Sequence, residues 1–187
     1  MEYVLGLFLL IAVLIGLIPS FITFFSNDIN KVDRFMRGHQ GDPFWIVQSA
    51  MAKREYDKIG PALHRLGSSH KEMESMAIAY LQIERRELKL AEMTTATIKS
   101  RQVQHYNLAL IALLQGEEET FQTHIKKVRH KGRHYALLAN AAYKRGDYAE
   151  AERLGTLAIS RSRGLKKWIL VKAKEVQETN PTRELYF

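Results

Sequence analysis

Cysteine is absent from this chain of 187 residues. Its absence excludes disulfide bonds, thiolate zinc sites, iron–sulfur clusters and cysteine nucleophiles. Charge is scarce at the N-terminus, where Glu2 is the only charged side chain before residue 28. Over the whole chain, 28 Lys and Arg outnumber 20 Asp and Glu, which gives a net charge of +8. This composition predicts an apolar N-terminal segment followed by one basic, polar domain.

The apolar segment covers residues 3–25 and contains no charged residue. As a helix it would be about 34 Å long, which is enough to cross a bilayer core. No basic residue precedes it and no small-residue cleavage site follows it, so we favour a retained transmembrane helix at 1–25 over a cleaved signal peptide. Lys31, Arg34 and Arg37 follow the segment closely. By the positive-inside rule, they predict a single-pass protein of the cell membrane with a cytoplasmic C-terminal domain.

Beyond the membrane segment the sequence divides into three parts. Polar residues with two glycines predict a juxtamembrane stalk at 26–42, helical to about Met36. Over 43–178 the apolar residues recur at helical spacing, and no long alternation with period two occurs. We therefore expect an all-α fold there, with a tail at 179–187.

A repeating pattern runs through the region 43–178. The polar turn at Gly146 has counterparts at Gly116, Arg86 and Arg54, so the spacings are 30, 30 and 32 residues. An acidic residue follows each turn, where the start of a helix favours negative charge. The pattern predicts four helical hairpins, and a further helix at about 166–177 would cap the last one. The four acidic residues are Glu55, Glu87, Glu117 and Asp147.

In the fourth hairpin, small or bulky packing residues recur at fixed offsets, namely Leu138, Ala142, Gly146, Asp147, Tyr148, Ala151 and Ala158. At these offsets the hairpin resembles a tetratricopeptide repeat. Two departures stand out, since Gly155 occupies a position where that family has a bulky aromatic residue and Arg163 occupies the position of its final proline. The resemblance implies a TPR-like α-solenoid of about four hairpins with a capping helix, acting as an adaptor between proteins.

The resemblance also implies that the first helix of each hairpin lines a groove. Methionine, tyrosine and leucine on such a surface would suit a peptide or an amphipathic helix of a protein partner. Helical periodicity alone does not separate a groove from a seam between packed helices, so both interpretations stay open. The candidate groove residues are Met73, Met76, Tyr80, Tyr106, Leu110, Asn140 and Tyr143.

Basic residues concentrate between residues 126 and 133. They are interpreted either as solvated helix ends that complement the helix dipole, or as a surface for anionic lipid or an acidic partner. No nucleic-acid-binding motif accompanies them, so no nucleic acid is expected as a partner. The residues of this basic surface are Lys126, Lys127, Arg129, Lys131 and Arg133.

The sequence offers no case for catalysis. His130 and His134 have the spacing of metal ligands, but Gly132 and the neighbouring cations oppose a metal site. No phosphate-binding glycine loop, nucleophile elbow or zinc-protease motif occurs. We therefore expect no catalytic residue, metal or cofactor, and a protein that is not an enzyme.

Two functions remain as hypotheses. The first is a membrane-anchored adaptor or scaffold whose TPR-like domain binds a protein partner at the membrane. The alternative is an accessory or assembly subunit of a polytopic membrane complex, recognised through its transmembrane helix, where Gly6, Gly16 and Pro19 would allow close packing.

Overall fold

The structure is a computed structural model that describes residues 21, 23–67, 70–180 and 184–187. Within these residues the regular structure is helical and no strand occurs, so this part of the chain is all-α, as expected. The predicted transmembrane helix falls almost entirely outside the described residues. In the described part, no helix combines the length and the apolar character needed to span a bilayer.

Ten helices follow one another between residues 29 and 179. In chain order they are α1 (Ile29–Gly38), α2 (Pro43–Lys53), α3 (Tyr56–Leu66), α4 (Lys71–Glu84), α5 (Leu88–Thr97), α6 (Arg101–Gln115), α7 (Glu118–Ile125), α8 (Lys131–Lys144), α9 (Tyr148–Ser160) and α10 (Gly164–Thr179). Four hairpins result, since α2 packs on α3, α4 on α5, α6 on α7 and α8 on α9. The arrangement is an α-solenoid, and its neighbouring hairpins stack through α2 on α4, α5 on α6 and α6 on α8.

The same backbone turn closes each hairpin at the expected place. Arg54, Arg86, Gly116 and Gly146 all have positive φ, between 59° and 81°. The residue after each turn donates its N–H to the carbonyl five positions earlier, as Glu117 does to Ala112 at 2.9 Å. This bond satisfies a carbonyl that the helix end leaves open. It recurs in the pairs Glu55–Ala50, Glu87–Gln82 and Asp147–Ala142.

The first two turns place an arginine where glycine is the residue without steric cost. A non-glycine residue in the left-handed region costs about 1–2 kcal/mol. Both arginines make ion pairs from these positions, Arg54 with Glu84 and Arg86 with Glu184. These ion pairs are what a glycine at either turn would lose.

The last helix, expected as a cap on the fourth hairpin, also contacts the first one. Helix α10 packs on α9, on α2 and on α1. Trp168 of α10 is fully buried beside Val32 and Met36 of α1 and Ala52 of α2. Burial of an indole is a large apolar contribution, so α10 links the two ends of the helical array. The predicted stalk is therefore packed against the domain, through α1.

The chain before α1 also contacts α10. Gly164 starts α10 with a φ of 54° and donates its N–H to the carbonyl of Ser26 at 2.7 Å. Lys167 donates from Nζ to the carbonyl of Asn27 at 2.9 Å. A side chain at Gly164 would overlap the backbone of Thr23 and Phe24, which explains the glycine at this close approach. Helix α10 thus holds the point at which the domain meets residues 23–27.

Candidate functional site

Residues 184–187 pack against the helical domain, and we call them the tail segment. Leu185, Tyr186 and Phe187 are each at most 7% exposed. Leu185 joins the apolar cluster of α6, α7 and α8, whereas Tyr186 and Phe187 join the cluster of α8, α9 and α10. Three consecutive large apolar side chains are therefore removed from water, which makes the segment a substantial part of the core.

Polar contacts fix the tail segment at both of its ends. At one end Glu184 forms an ion pair with Arg86, the residue in the second turn. At the other end the backbone N–H of Phe187 donates to Oδ1 of Asn140 at 2.8 Å. Asn140 is fully buried. The segment therefore crosses from the second hairpin to the fourth.

The ring of Tyr186 occupies a specific place on α9. A Cβ atom added to Gly155 would lie 2.7 Å from Cζ of Tyr186 and 2.8 Å from its hydroxyl oxygen. That hydroxyl donates to Glu152 at 2.6 Å. Gly155 is the position for which the resemblance implies an aromatic residue, and the ring of Tyr186 lies against it.

The charges around Tyr186 follow from this packing. Burial raises the pKa of Tyr186, and its hydrogen bond to Glu152 raises it further. Hydrogen bonds from Lys174 and Tyr186 hold the pKa of Glu152 below its ordinary value. The tyrosine is therefore the donor and the glutamate the charged acceptor. Tyr143 of α8 completes the pocket with its ring centroid 6.1 Å from that of Tyr186.

We call the surface that holds the tail segment the tail site, formed by Arg86, Asn140, Tyr143, Glu152 and Gly155 with the adjoining apolar side chains. Asn140 bonds the tail segment with its oxygen only. Its Nδ2 is buried and finds no hydrogen-bond partner among the residues that the structure describes. A buried donor without a partner costs about 1–3 kcal/mol. The amide oxygen of Asn140 is thus bonded and its amide nitrogen is not. A peptide backbone carries both N–H and C=O groups and could bond both atoms.

A small cavity adjoins the tail segment near Glu184. It has a volume of about 160 Å³ and lies between the ends of α4 and α6. Its lining combines apolar and charged side chains, so it offers room beside the first residue of the segment. The lining residues are Ile83, Glu84, Arg86, Leu114, Glu184 and Leu185.

Two of the seven candidate groove residues contact the tail segment directly, namely Asn140 and Tyr143. Leu110 is half-buried beside the cluster that contains Leu185. Tyr106 belongs to the same cluster and is half-buried, and burial raises its pKa. These four residues therefore lie at or near one surface, although they come from two hairpins.

The other three candidates lie elsewhere. Met73 is 8% exposed in the core of the first two hairpins, where Gln48 donates to its sulfur at 3.3 Å. Met73 and Met76 line a second cavity of about 460 Å³ beside Lys99. Tyr80 is half-buried and donates its hydroxyl to the carbonyl of Met51 at 2.9 Å, which joins α4 to α2. For Tyr80 the seam between helices is thus the observed environment.

The basic surface divides into exposed and shielded residues. Lys126, Lys127, Arg129 and Lys131 are exposed at and after the end of α7. Arg133 is half-buried, and burial lowers its pKa. The four exposed cations are available to an anionic surface, whereas Arg133 is partly shielded from solvent.

The histidines pair differently from the sequence spacing. His105 and His124 face each other with their Nδ1 atoms 3.2 Å apart. Burial lowers the pKa of both, and the charge of Lys127 lowers them further. In the described part of the chain, no group of three or more metal-ligating side chains comes together. Of the pair singled out by spacing, His130 caps α8 by accepting from the N–H of Arg133 at 3.3 Å.

Sequence reasoning missed the tail segment and Gly155 as parts of one site. The available signal was the glycine at position 155, where the resemblance implies a bulky aromatic side chain. A packing position without a side chain leaves space that a residue from elsewhere in the chain can fill. Comparison with protein families, with curated proteins and with solved structures finds no match to this chain.

Proposed function

We propose that this chain is a membrane-anchored adaptor whose TPR-like domain binds a protein partner at the tail site. One observation carries the proposal: the site already holds a non-helical segment of four residues by a backbone hydrogen bond, an ion pair and two buried aromatic rings. Main-chain hydrogen bonds combined with side-chain pockets are a recurring way in which proteins bind peptide segments of a partner. The function is binding, with no catalytic step and no cofactor.

The membrane part of the proposal rests on the uncharged residues 3–25 and on the basic residues after them. Helix α1 begins four residues after this segment and packs on α10, which supports a domain held close to the bilayer. The exposed cations Lys126, Lys127, Arg129 and Lys131 support an additional contact with anionic lipid. Localisation at the cell membrane, with the domain in the cytoplasm, is part of the same proposal.

Affinity purification of the full chain in mild detergent tests the adaptor function. Asn140→Leu removes the acceptor for a bound backbone with a side chain of similar size, and we expect it to lose the partner that the parent captures. Asn107→Leu makes the same chemical change on α6, where the amide faces Thr95 at 3.5 Å. That control should keep the partner.

A third variant separates the adaptor from the alternative function. It replaces residues 3–25 by an unrelated transmembrane helix and leaves the domain unchanged. The adaptor hypothesis expects the partner to remain bound. Loss of the partner with this variant, together with its retention by Asn140→Leu, would favour recognition through the transmembrane helix.

A further inference from the structure

The tail segment and a partner would need the same surface. Leu185, Tyr186 and Phe187 are buried in the tail site, and a ring at Gly155 leaves no space for a second one. A partner segment that used Asn140 and the pocket at Gly155 would therefore have to displace residues 184–187. This inference rests on the proposed function and adds the chemistry of the partner and its regulation.

From these contacts we propose that the tail segment is an intramolecular ligand that competes with the partner, and that the partner carries a similar segment. Its chemistry is an acidic residue, an aliphatic residue and then two aromatic residues in a non-helical segment. Each of these four side chains has its counterpart in the tail site: Arg86 for the acid, the cluster beside Leu114 for the aliphatic residue, the space over Gly155 for the first ring, and the cluster of α8, α9 and α10 for the second ring.

The contacts of the tail segment also give the direction of a bound segment. Tyr186 lies against Tyr143, and Phe187 bonds to Asn140, which precedes Tyr143 on α8. The segment therefore runs opposite to α8. The unpartnered Nδ2 of Asn140 gives a partner an advantage, because a segment placed slightly differently supplies a carbonyl to the amide as well as an N–H.

The ion pair of Glu184 and Arg86 is the solvent-exposed contact between the tail segment and the tail site. Their side chains are 64% and 41% exposed, so this ion pair is a weak contact that water and salt compete with. A partner can therefore begin exchange at Glu184, beside the cavity of about 160 Å³, before the buried rings leave. The tail segment is a competitor that can be displaced in steps.

Binding of a synthetic peptide to the full chain in mild detergent tests the proposal. The probe is a fluorescent peptide with the sequence of residues 182–187, Thr-Arg-Glu-Leu-Tyr-Phe, amidated at its C-terminus so that no terminal charge contributes. The control probe replaces its tyrosine and phenylalanine by alanine. The parent chain, whose tail site is occupied, should bind the probe weakly.

The variant Tyr186→Ala with Phe187→Ala removes the two buried rings of the tail segment and keeps every residue of the tail site. We expect it to bind the probe at least about tenfold more tightly than the parent, because an internal competitor lowers apparent affinity by the fraction of open molecules. Adding Gly155→Ala to this variant fills the ring pocket and should abolish binding. Adding Gly38→Ala, where an extra Cβ meets no atom within 4 Å, should leave binding unchanged.

Equal affinity of the parent and of the Tyr186→Ala, Phe187→Ala variant for the probe would contradict competition between the tail segment and the partner. Equal binding of the control probe, or full binding after Gly155→Ala, would overturn the stated partner chemistry. If the double variant loses its helical circular dichroism, Glu184→Ala takes its place, since it changes only an exposed ion pair and should still tighten binding several-fold. Absence of probe binding in every variant, with partner capture still dependent on Asn140, would reject this inference and leave the adaptor function standing.

Discussion

Trp168 donates its indole N–H to the carboxylate of Asp33 at 3.0 Å, and the two residues are 135 positions apart in the chain. The bond joins α10 to α1 and lowers the pKa of Asp33. Lys53 of α2 lies over the indole ring, 5.8 Å from its centroid. Three helices from the two ends of the array therefore meet at one side chain.

Replacing Asp33 by alanine tests how much the contact of α10 with α1 contributes to the stability of the domain. A hydrogen bond to a charged group contributes about 1.5–3 kcal/mol, so Asp33→Ala should lower the free energy of unfolding by about 2 kcal/mol. Thermal or urea unfolding of the full chain in detergent measures the change. Asp57→Ala, an exposed residue in the first turn of α3, should cost less than about 1 kcal/mol. Equal effects of both variants would mean that the hydrogen bond between Trp168 and Asp33 does not stabilise the packing of α1 on α10.

The four turns predict a difference between glycines. Gly116 has a φ of 81°, where alanine is strained, so Gly116→Ala should destabilise the domain by about 1 kcal/mol. Gly38 ends α1 with free space around it, so Gly38→Ala should be neutral or slightly stabilising. Denaturant midpoints of the two variants measure the contrast. A neutral Gly116→Ala would show that this turn does not need the left-handed conformation.

Local features of the fold were predictable from the sequence, whereas the contact of the last helix with the first helices was not. Turns at Arg54, Arg86, Gly116 and Gly146 leave a local pattern, since a helix end, a left-handed residue and an acidic cap occupy adjacent positions. The contact of Trp168 with α1 leaves none, because it joins distant segments of amphipathic helices whose patterns fit many partners.

The candidate site was predictable to a similar degree. Asn140 and Tyr143 were predicted from the resemblance to a tetratricopeptide repeat, which implies that the first helix of each hairpin lines a groove. Both residues contact the tail segment, and their role toward a partner stays a prediction. Periodicity placed Tyr80 on the same kind of face, although its hydroxyl bonds to the backbone of α2. The tail segment was missed because four residues after the last helix have no periodicity, and only their long-range contacts reveal a role.

Acid should destabilise the domain through His105 and His124. Burial holds both pKa values below the ordinary 6.5, so the unfolded chain takes up protons first as pH falls. The contribution of these two histidines to the free energy of unfolding is fully present above about pH 6.5. It decreases as pH falls toward their pKa values in the folded protein. The melting temperature should drop between about pH 7.5 and about pH 5.5.

Substitution of the pair identifies its share of this drop. His105→Gln with His124→Gln should reduce the pH dependence of the melting temperature, because neither side chain then titrates. His64→Gln, on an exposed face of α3, should leave the dependence as in the parent. An unchanged drop in the paired variant would assign acid sensitivity to other groups.

The absence of native cysteine allows a direct test of topology. A single cysteine at the exposed Lys126 or Arg129 is the only thiol in the chain. If the domain is cytoplasmic, a membrane-impermeant maleimide should label neither variant in intact cells and both after permeabilisation. Labelling in intact cells would place the domain on the outer side and reverse the orientation inferred from Lys31, Arg34 and Arg37.

Tyr80 decides between a structural seam and a partner surface. Its hydroxyl donates to the carbonyl of Met51 at 2.9 Å, so Tyr80→Phe should cost about 1 kcal/mol of unfolding free energy. Partner capture should not change, because Tyr80 packs between α2 and α4 and is not among the residues that contact the tail segment. Tyr148→Phe is the matched control, since that residue is 64% exposed and should lose almost nothing. A Tyr80→Phe variant of parental stability that no longer captures the partner would instead return Tyr80 to the binding surface and place the groove along the first two hairpins.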